Sequence, residues 1–461
     1  MATPATSSLD AVYSHVDSQA DRFVDELRAF VRLPSRTGFL DELRVAADYV
    51  SNLGRAAGWS AEVIDVDELA PIVLLEHSAP PGRPTLLLYS HYDVITPEPI
   101  SEWTYPPFSA EMVDGRIYGR GATDAKANVL SLVKAIECLV AVRGEAPCGV
   151  KLILEGEEER GSSNLPAFVD GWRDRLNADS ALSFDGGIDA SGVPKIGLGT
   201  SGMLYIELEV RGAKKELHSG GARLYMNPAW RLTWALAAIK GPDERVLIPG
   251  FYDDIVPPTD LDRQLMAAMP WNDERQLAEA GLPEFLTGVR GLAAVERLLF
   301  TPGLALCGIQ SGFAGEGPKA IIPNRAVAKL EFRIVPNQTP EGVLEQLRTH
   351  LDKQGFGDVE IRTLATVETA KTDGDAAIVT ATLDAARELY GEPMLKPTEE
   401  YAGRQGAWLG TRLGIPGVQT GVGPPGFRGH ATDEFVTVEH FIKGIKFGAG
   451  ILDRYGASAG A

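Results

Sequence analysis

The chain has 461 residues, 44% of them apolar and 23% charged, a balance typical of a globular protein with a sizeable core. A net charge of −19 disfavours nucleic acids and anionic membrane surfaces as partners, and no apolar run approaches the ~18 residues of a membrane span. Three scattered cysteines and an N-terminus without an apolar signal region favour a reducing, cytoplasmic location, and the length favours two domains.

The first 200 residues alternate between helical and strand patterns. Apolar residues at helical spacing predict one helix across positions 16–31 and a second across about 40–57. A third helix is expected at 124–144, and short apolar runs predict buried strands at 71–77, 85–94 and 150–156. Such alternation indicates an α/β sheet covered on both faces, with its chemistry just beyond the strand ends.

The pattern changes near residue 200. Strict alternation predicts half-exposed strands at 203–212 and 325–335, and 359–364 forms a further strand. With helices after Asn227 and after Thr339, the order is strand–helix–strand–strand–helix–strand, as in a ferredoxin-like layer with a mostly helical insertion at 241–302.

The α/β pattern resumes at 376–391 and 414–423. We therefore predict an α/β domain formed by residues 1–200 and 366–461, with a central mixed sheet flanked by helices. An α+β ferredoxin-like domain, residues 201–365, is inserted into it.

Two histidines and several carboxylates lie at predicted strand ends. His91 closes an apolar run, and Asp93 follows on the same side of the extended chain, where a carboxylate can orient a metal-bound imidazole. Taken singly, Asp124 could cap a helix, Asp185 could form a turn, and His430 could be a loop histidine.

The stretch EGEEERGSS places Glu157, Glu158 and Glu159 side by side after a strand. Adjacent like charges cost free energy unless a positive charge is near. Histidine and carboxylate ligands without thiolates suit zinc, and also cobalt or manganese. One shared carboxylate with two further ligands per ion would form a compact dinuclear centre.

The ordered motifs HxD, GRGxxDxK, EEExGS, SFDGG and GHxxxE resemble those of the M20 family of metallopeptidases. This family includes glutamate carboxypeptidase, carnosinase-type dipeptidases and aminoacylases. The similarity spans about residues 20 to 455, and WTYPPFSAEMVDGRIYGRGATDAK is similar to the carnosinase-type branch. The resemblance implies a zinc-peptidase-like catalytic domain and an inserted domain that serves as lid and dimerisation surface.

The resemblance also implies a role for each candidate ligand. One divalent ion would be held by His91 and Asp185, and a second by Glu159 and His430. Asp124 would bridge the two ions, just before a cis peptide bond to the next residue.

Further residues would act on the ligands or on the reacting water. Asp93 would orient His91, and Glu158 would be the general base that takes a proton from water and delivers it to the leaving nitrogen. Because alternate residues of an extended strand end face opposite ways, Glu157 is expected to be a solvated bystander.

The substrate-binding candidates lie later in the chain. His218 would stabilise the oxyanion, in dimers across the subunit interface, although it could be only a turn histidine. Arg333 would bind a substrate carboxylate, or could be a solvent-facing strand residue. Arg404 and Gly406 would bind substrate in a loop where Trp408 replaces the usual small hydroxyl residue. Trp408 could stack on an aromatic group of the substrate, or could be a core residue.

We therefore expect a cytoplasmic homodimeric hydrolase with two divalent ions per chain, zinc with cobalt or manganese as alternatives. It would cleave the amide C–N bond of a dipeptide or an N-acyl amino acid. One alternative is an aminohydrolase or amidase that acts on a non-peptide, aromatic amine or amide. An alternative of another class is a non-catalytic relative that serves binding or assembly.

Overall fold

The computed structural model describes residues 9–66, 68–399 and 409–458. These residues form two compact units, and the second, Thr200–Ala370 with the short stretch that begins at Thr398, is inserted into the first. We call them the first unit and the inserted unit. Among the described helices, none combines the length and the apolar character needed to cross a membrane.

The helices are numbered in chain order. They are α1 (Leu9–Ser18), α2 (Ala20–Arg32), α3 (Leu40–Ala56), α4 (Asn128–Arg143), α5 (Leu165–Gly171), α6 (Pro228–Ile239), α7 (Asp260–Ala268), α8 (Asp273–Ala280), α9 (Leu292–Phe300), α10 (Pro340–Lys353), α11 (Ala377–Tyr390), α12 (Leu409–Leu413) and α13 (Val438–Ser458).

The strands are numbered in the same way. They are β1 (Ser60–Ile64), β2 (Ile72–His77), β3 (Thr85–His91), β4 (Glu111–Val113), β5 (Arg116–Tyr118), β6 (Gly149–Glu155), β7 (Ser180–Gly187), β8 (Lys195–Gly197), β9 (Gly199–Thr200), β10 (Gly202–Arg211), β11 (Leu217–His218), β12 (Gly303–Ser311), β13 (Ile321–Ile322), β14 (Arg325–Ile334), β15 (Glu360–Val367), β16 (Ala370–Lys371), β17 (Met394–Lys396), β18 (Gly417–Gly423) and β19 (Phe435–Thr437).

The single helix predicted at 16–31 is wrong, because two helices, α1 and α2, share this stretch. Gln19 separates them with φ −103° and ψ 5°, outside the helical region. The Ser18 hydroxyl donates to the carbonyl oxygen of His15 at 2.7 Å, a local bond that competes with helix continuation. The spacing of apolar residues does not reveal such a one-residue interruption.

The first unit is built on an eight-stranded sheet in the order β1-β2-β6-β3-β7-β18-β8-β17. Strand β3 runs parallel to β6 and β7, and β18 runs parallel to β7, whereas β1 and β2 pair antiparallel. Helix α13 packs against α4 and α11 beside this sheet. The predicted mixed sheet flanked by helices is therefore confirmed.

The inserted unit is built on a four-stranded antiparallel sheet in the order β12-β14-β10-β15. The side chains of one sheet face pack with α6 and α10 into a core, where Leu204, Leu208, Leu330 and Phe332 are fully or almost fully buried. The chain order β10-α6-β12-β14-α10-β15 is the predicted ferredoxin-like order.

Candidate metal centre

The parallel strands of the first unit bring the sequence motifs to one edge of the sheet. β3, β6, β7 and β18 lie within one run of neighbours, so their carboxyl ends meet. His91 ends β3, Asp185 lies near the end of β7, and the glutamate run follows β6. His430 lies in the loop after β18, with φ 61° in the left-handed region.

Asp124 lies between two histidines. It belongs to the distorted helical segment Ala122–Ala127 that precedes α4, and its peptide bond to Ala125 is cis. Its Oδ1 is 3.2 Å from Nε2 of His91, and its Oδ2 is 3.4 Å from Nε2 of His430. The two oxygens of one carboxylate therefore face two different imidazoles.

Each histidine faces a second carboxylate. Nε2 of His91 is 3.4 Å from Oδ1 of Asp185, and Nε2 of His430 is 2.9 Å from Oε2 of Glu159. His91, Asp124 and Glu159 offer ligand atoms that all lie within 4.8 Å of one another. The geometry is thus two histidine–carboxylate pairs that share Asp124.

The donor set fits divalent cations. All of its atoms are imidazole nitrogens and carboxylate oxygens, which suit zinc, cobalt or manganese. Oε1 of Glu159 is buried and has no hydrogen-bond partner among the described residues, although a buried anionic oxygen needs compensation. A cation bound beside Asp124 would supply that compensation.

The electrostatics of the protein alone show how much negative charge converges here. Burial lowers the pKa of His91, but Asp185 and Asp124 outweigh it and raise that pKa well above the usual value. Hydrogen bonds with Asp124 and Glu159 raise the pKa of His430 to about 10. The carboxylates therefore attract positive charge, which bound cations would provide in place of the imidazole protons.

Asp93 supports both a histidine and the glutamate run. Its Oδ1 is 3.3 Å from Nδ1 of His91, and its two oxygens accept from the backbone N–H groups of Glu158 and Glu159 at 3.2 and 3.1 Å. These bonds hold Glu158–Arg160 in a 3-10 turn. The expected extended strand end is therefore wrong, and a turn separates the glutamates instead.

The glutamates differ in their surroundings. Burial raises the pKa of Glu158 well above its ordinary value; His91 opposes this effect, and Asp185 adds to it. Glu157 is only 8% exposed and accepts from Nδ2 of Asn164 at 3.0 Å, so the prediction that it is solvated is wrong. The turn points Glu157 toward the following loop rather than toward water.

Glu434, the last residue of the GHxxxE motif, is a further residue at this centre, for which the motif predicted no role. It is fully buried and accepts from Arg120 at 2.7 Å and from the backbone N–H groups of Gly121, Thr123 and Asp124 at 2.9–3.0 Å. The available signal was an acid inside the GHATDEF motif and an arginine inside GRGATD.

The substrate-binding candidates belong to the inserted unit or lie outside the described residues. His218 and Arg333 belong to the inserted unit. Nδ1 of His218 accepts from the backbone of Gly220 at 3.0 Å, and Nε of Arg333 donates to Glu331 at 2.6 Å, while Nη1 of Arg333 is buried without a partner among the described residues. Arg404 and Gly406 lie outside the described residues.

The chain is similar to a known protein family over most of its length. Residues 87–454 match the family described as Peptidase family M20/M25/M40. The chain belongs to this family. It is therefore a metallohydrolase of the M20 kind, as the motifs predicted.

Three similar proteins illustrate the range of this M20 group. The crystal structure of an M20 family metallo-carboxypeptidase, Sso-CP2 from Sulfolobus solfataricus, has a TM-score of 0.84 and 34% identity and covers 94% of this chain and 99% of its own. The Beta-Ala-His dipeptidase of Rattus norvegicus is 29% identical over 76% of this chain and 75% of its own length. The Cys-Gly metallodipeptidase dug1 of Schizosaccharomyces pombe is 28% identical over 75% of this chain and 76% of its own length.

Proposed function

We propose that this M20 hydrolase cleaves the amide C–N bond of a dipeptide or an N-acyl amino acid. The observation that carries the proposal is the shared carboxylate: each oxygen of Asp124 faces a different histidine, and each histidine faces its own second carboxylate. Two relatives that match three quarters of the chain are dipeptidases, which supports the substrate class.

The residues of the centre would hold two divalent ions, which we propose are zinc, with cobalt or manganese as alternatives. His91 and Asp185 would bind one ion, Glu159 and His430 the other, and Asp124 both. When bound, such ions supply Lewis acidity, which polarises an amide carbonyl and makes water a stronger acid.

Glu158 is the proposed general base. It lies within electrostatic range of His91, Asp185 and Asp124, and a positive charge at the centre would keep its carboxylate ionised. It would accept a proton from the attacking water and deliver that proton to the nitrogen of the leaving amine. Asp93 would orient both His91 and the backbone turn that carries Glu158.

Other parts of the proposal rest on the family resemblance. His218 would stabilise the oxyanion, and Arg333, together with Arg404 and Gly406, would bind the substrate. His218 lies in an exposed turn and Arg333 is partly exposed, so both side chains of the inserted unit are accessible to a substrate. We also propose a homodimer formed through the inserted unit, and a cytoplasmic location.

The homodimer proposal has support within the inserted unit. Trp230 and Trp234 of α6 stack on each other with ring centroids 6.0 Å apart, yet they are 59% and 55% exposed. Exposed Leu306 and Ile309 lie on β12, which is at the edge of its sheet. Exposed apolar groups and an open strand edge are features of association surfaces.

The direct test replaces the proposed base without touching the ligands. We expect Glu158→Gln to lower kcat on dipeptides by at least 100-fold while the bound metal per chain stays at the wild-type level, because the loss of general-base catalysis removes a factor of roughly 10²–10⁴. Metal content is measured by elemental analysis, and Glu111→Gln, an exposed acid of β4, serves as the control.

Two outcomes would contradict this proposal. Loss of metal from Glu158→Gln would mean that Glu158 is a ligand rather than the base. Fewer than one ion per chain in wild type, without activation by added zinc, cobalt or manganese, would remove the metal centre. A screen of dipeptides, N-acyl amino acids and aryl amides then separates the proposed substrates from those of an amidase.

A further inference from the structure

Glu434 connects two parts of the chain that carry proposed metal ligands. It directly precedes β19, four residues after His430, and its side chain is fully buried. Oε1 accepts from the backbone N–H groups of Thr123 and Asp124, each at 3.0 Å, and Oε2 accepts from Gly121 at 2.9 Å. One side chain thus binds nearly the whole backbone turn that presents Asp124.

Arg120 holds the other side of this arrangement. Its Nη1 donates to Oε2 of Glu434 at 2.7 Å, and its Nη2 donates to the carbonyl oxygen of Ala431 at 3.0 Å, one residue after His430. The guanidinium is 2% exposed and lies over the ring of Trp103 at 5.2 Å. Arg120 therefore fixes the loop of His430 and the carboxylate that fixes Asp124.

We propose that Glu434, held by Arg120, is a positioning residue that fixes Asp124 relative to His430. The Glu434–Arg120 pair thereby controls the affinity of the protein for the metal ions. The inference rests on the proposed metal function of Asp124. Its physical basis is that four donors converge on one buried carboxylate, so a change of Glu434 removes the charged acceptor of three backbone N–H groups and of Arg120.

A purely structural role for the pair makes a different prediction. If Glu434 served stability alone, its removal would lower the unfolding temperature and leave the affinity of the folded protein for metal unchanged. If it positions Asp124, the folded variant must bind metal more weakly, because partners behind metal ligands typically contribute 10–100-fold in metal affinity.

The experiment compares three variants of the full chain by competition of Zn²⁺ and Co²⁺ with a chromophoric chelator. Glu434→Gln keeps the size and one acceptor oxygen, and Glu434→Asp keeps the charge but shortens the reach. We expect both to bind metal 10–100-fold more weakly than wild type and to alter the visible absorption of bound Co²⁺. Asp453→Asn, which breaks the Arg143–Asp453 ion pair between α4 and α13, is the stability control.

The outcomes separate the inference from the function on which it rests. Wild-type affinity in folded Glu434→Gln and Glu434→Asp, beside a metal-binding wild type, overturns the positioning role and leaves the metal function intact. A wild type that binds no metal refutes the function itself. Where both Glu434 variants fail to fold, Arg120→Lys, which loses the bond to Ala431, must weaken metal binding, and wild-type affinity there overturns the inference.

Discussion

Glu155 is a buried acid at the end of β6, beside the proposed metal ligand His91. It is 3% exposed, pairs with His91 in the register of β3 and β6, and accepts hydrogen bonds from Tyr89 and Ser162. Burial raises its pKa to about 7. The folded protein therefore keeps a proton on this group at pH values where the unfolded chain has lost it.

This residue predicts a pH dependence of stability. A raised pKa in the folded state contributes stability that is complete below the unfolded pKa of roughly 4.3 and is lost as the pH rises through about 7. Wild type should lose roughly 3 kcal/mol of stability between pH 4.5 and pH 8, and Glu155→Gln, which resembles the protonated acid, should not show this loss. Urea unfolding across this range measures the loss.

Glu111→Gln is the control for this effect, since Glu111 is exposed and its replacement should leave the pH profile of wild type unchanged. An identical profile for Glu155→Gln would show that Glu155 is ionised in the folded protein throughout the range.

Glycines of helix α13 face the strand β18 and the helix α4, and they allow α13 to pack closely against both. A Cβ added at Gly444 would lie 2.4 Å from Cγ1 of Val422 in β18, and one at Gly448 would lie 3.2 Å from Cβ of Ala135 in α4. Glycine costs helix propensity, yet here it permits close packing of a helix on a strand and on another helix. The strand β18 leads directly to the loop of His430.

Gly444→Ala should therefore destabilise the protein, although alanine favours helices by about 1 kcal/mol over glycine. Val422 is buried and β-branched, so it cannot move away freely, and overpacking typically costs about 1–3 kcal/mol. Gly171→Ala is the matched control at the end of α5, where an added Cβ meets nothing within 4 Å and stability should be equal or higher. Denaturant midpoints measure both, and equal midpoints would refute the packing argument.

At the scale of the whole molecule, the proposed homodimer would form through the inserted unit. The proposed surface consists of Trp230 and Trp234 on α6 and of the exposed edge strand β12. If His218 acts across the interface, as the family resemblance implies, then turnover depends on the dimer as well as on the metal centre.

Trp230→Glu combined with Trp234→Glu should convert a dimeric wild type into a monomer, because charges would replace two exposed indoles that the proposed interface would bury. Light scattering coupled to size exclusion measures the mass. Leu282→Glu, at another exposed apolar position of the inserted unit, should remain dimeric. A folded monomer with wild-type kcat would place His218 in its own subunit, and a wild type that is already monomeric would end the dimer proposal.

Sequence alone was sufficient for the family, the class of reaction and the architecture. Periodicity distinguishes segments of buried strands and helices from segments of half-exposed strands, because burial acts on nearby residues in a regular pattern. The sequence predicted the grouping of these side chains because parallel strands end at a common edge: His91, Asp124, Glu159, Asp185 and His430.

Tertiary structure alone decided how the surroundings of neighbouring residues differ. The three glutamates separate because Asp93 binds the backbone of a turn from 65 residues away, and Glu434 binds Asp124 across 310 residues. Such hydrogen bonds depend on which distant donors the folded chain brings together. No local spacing carries that information, so neither the burial of Glu157 nor the contacts of Glu434 could be deduced from the motifs.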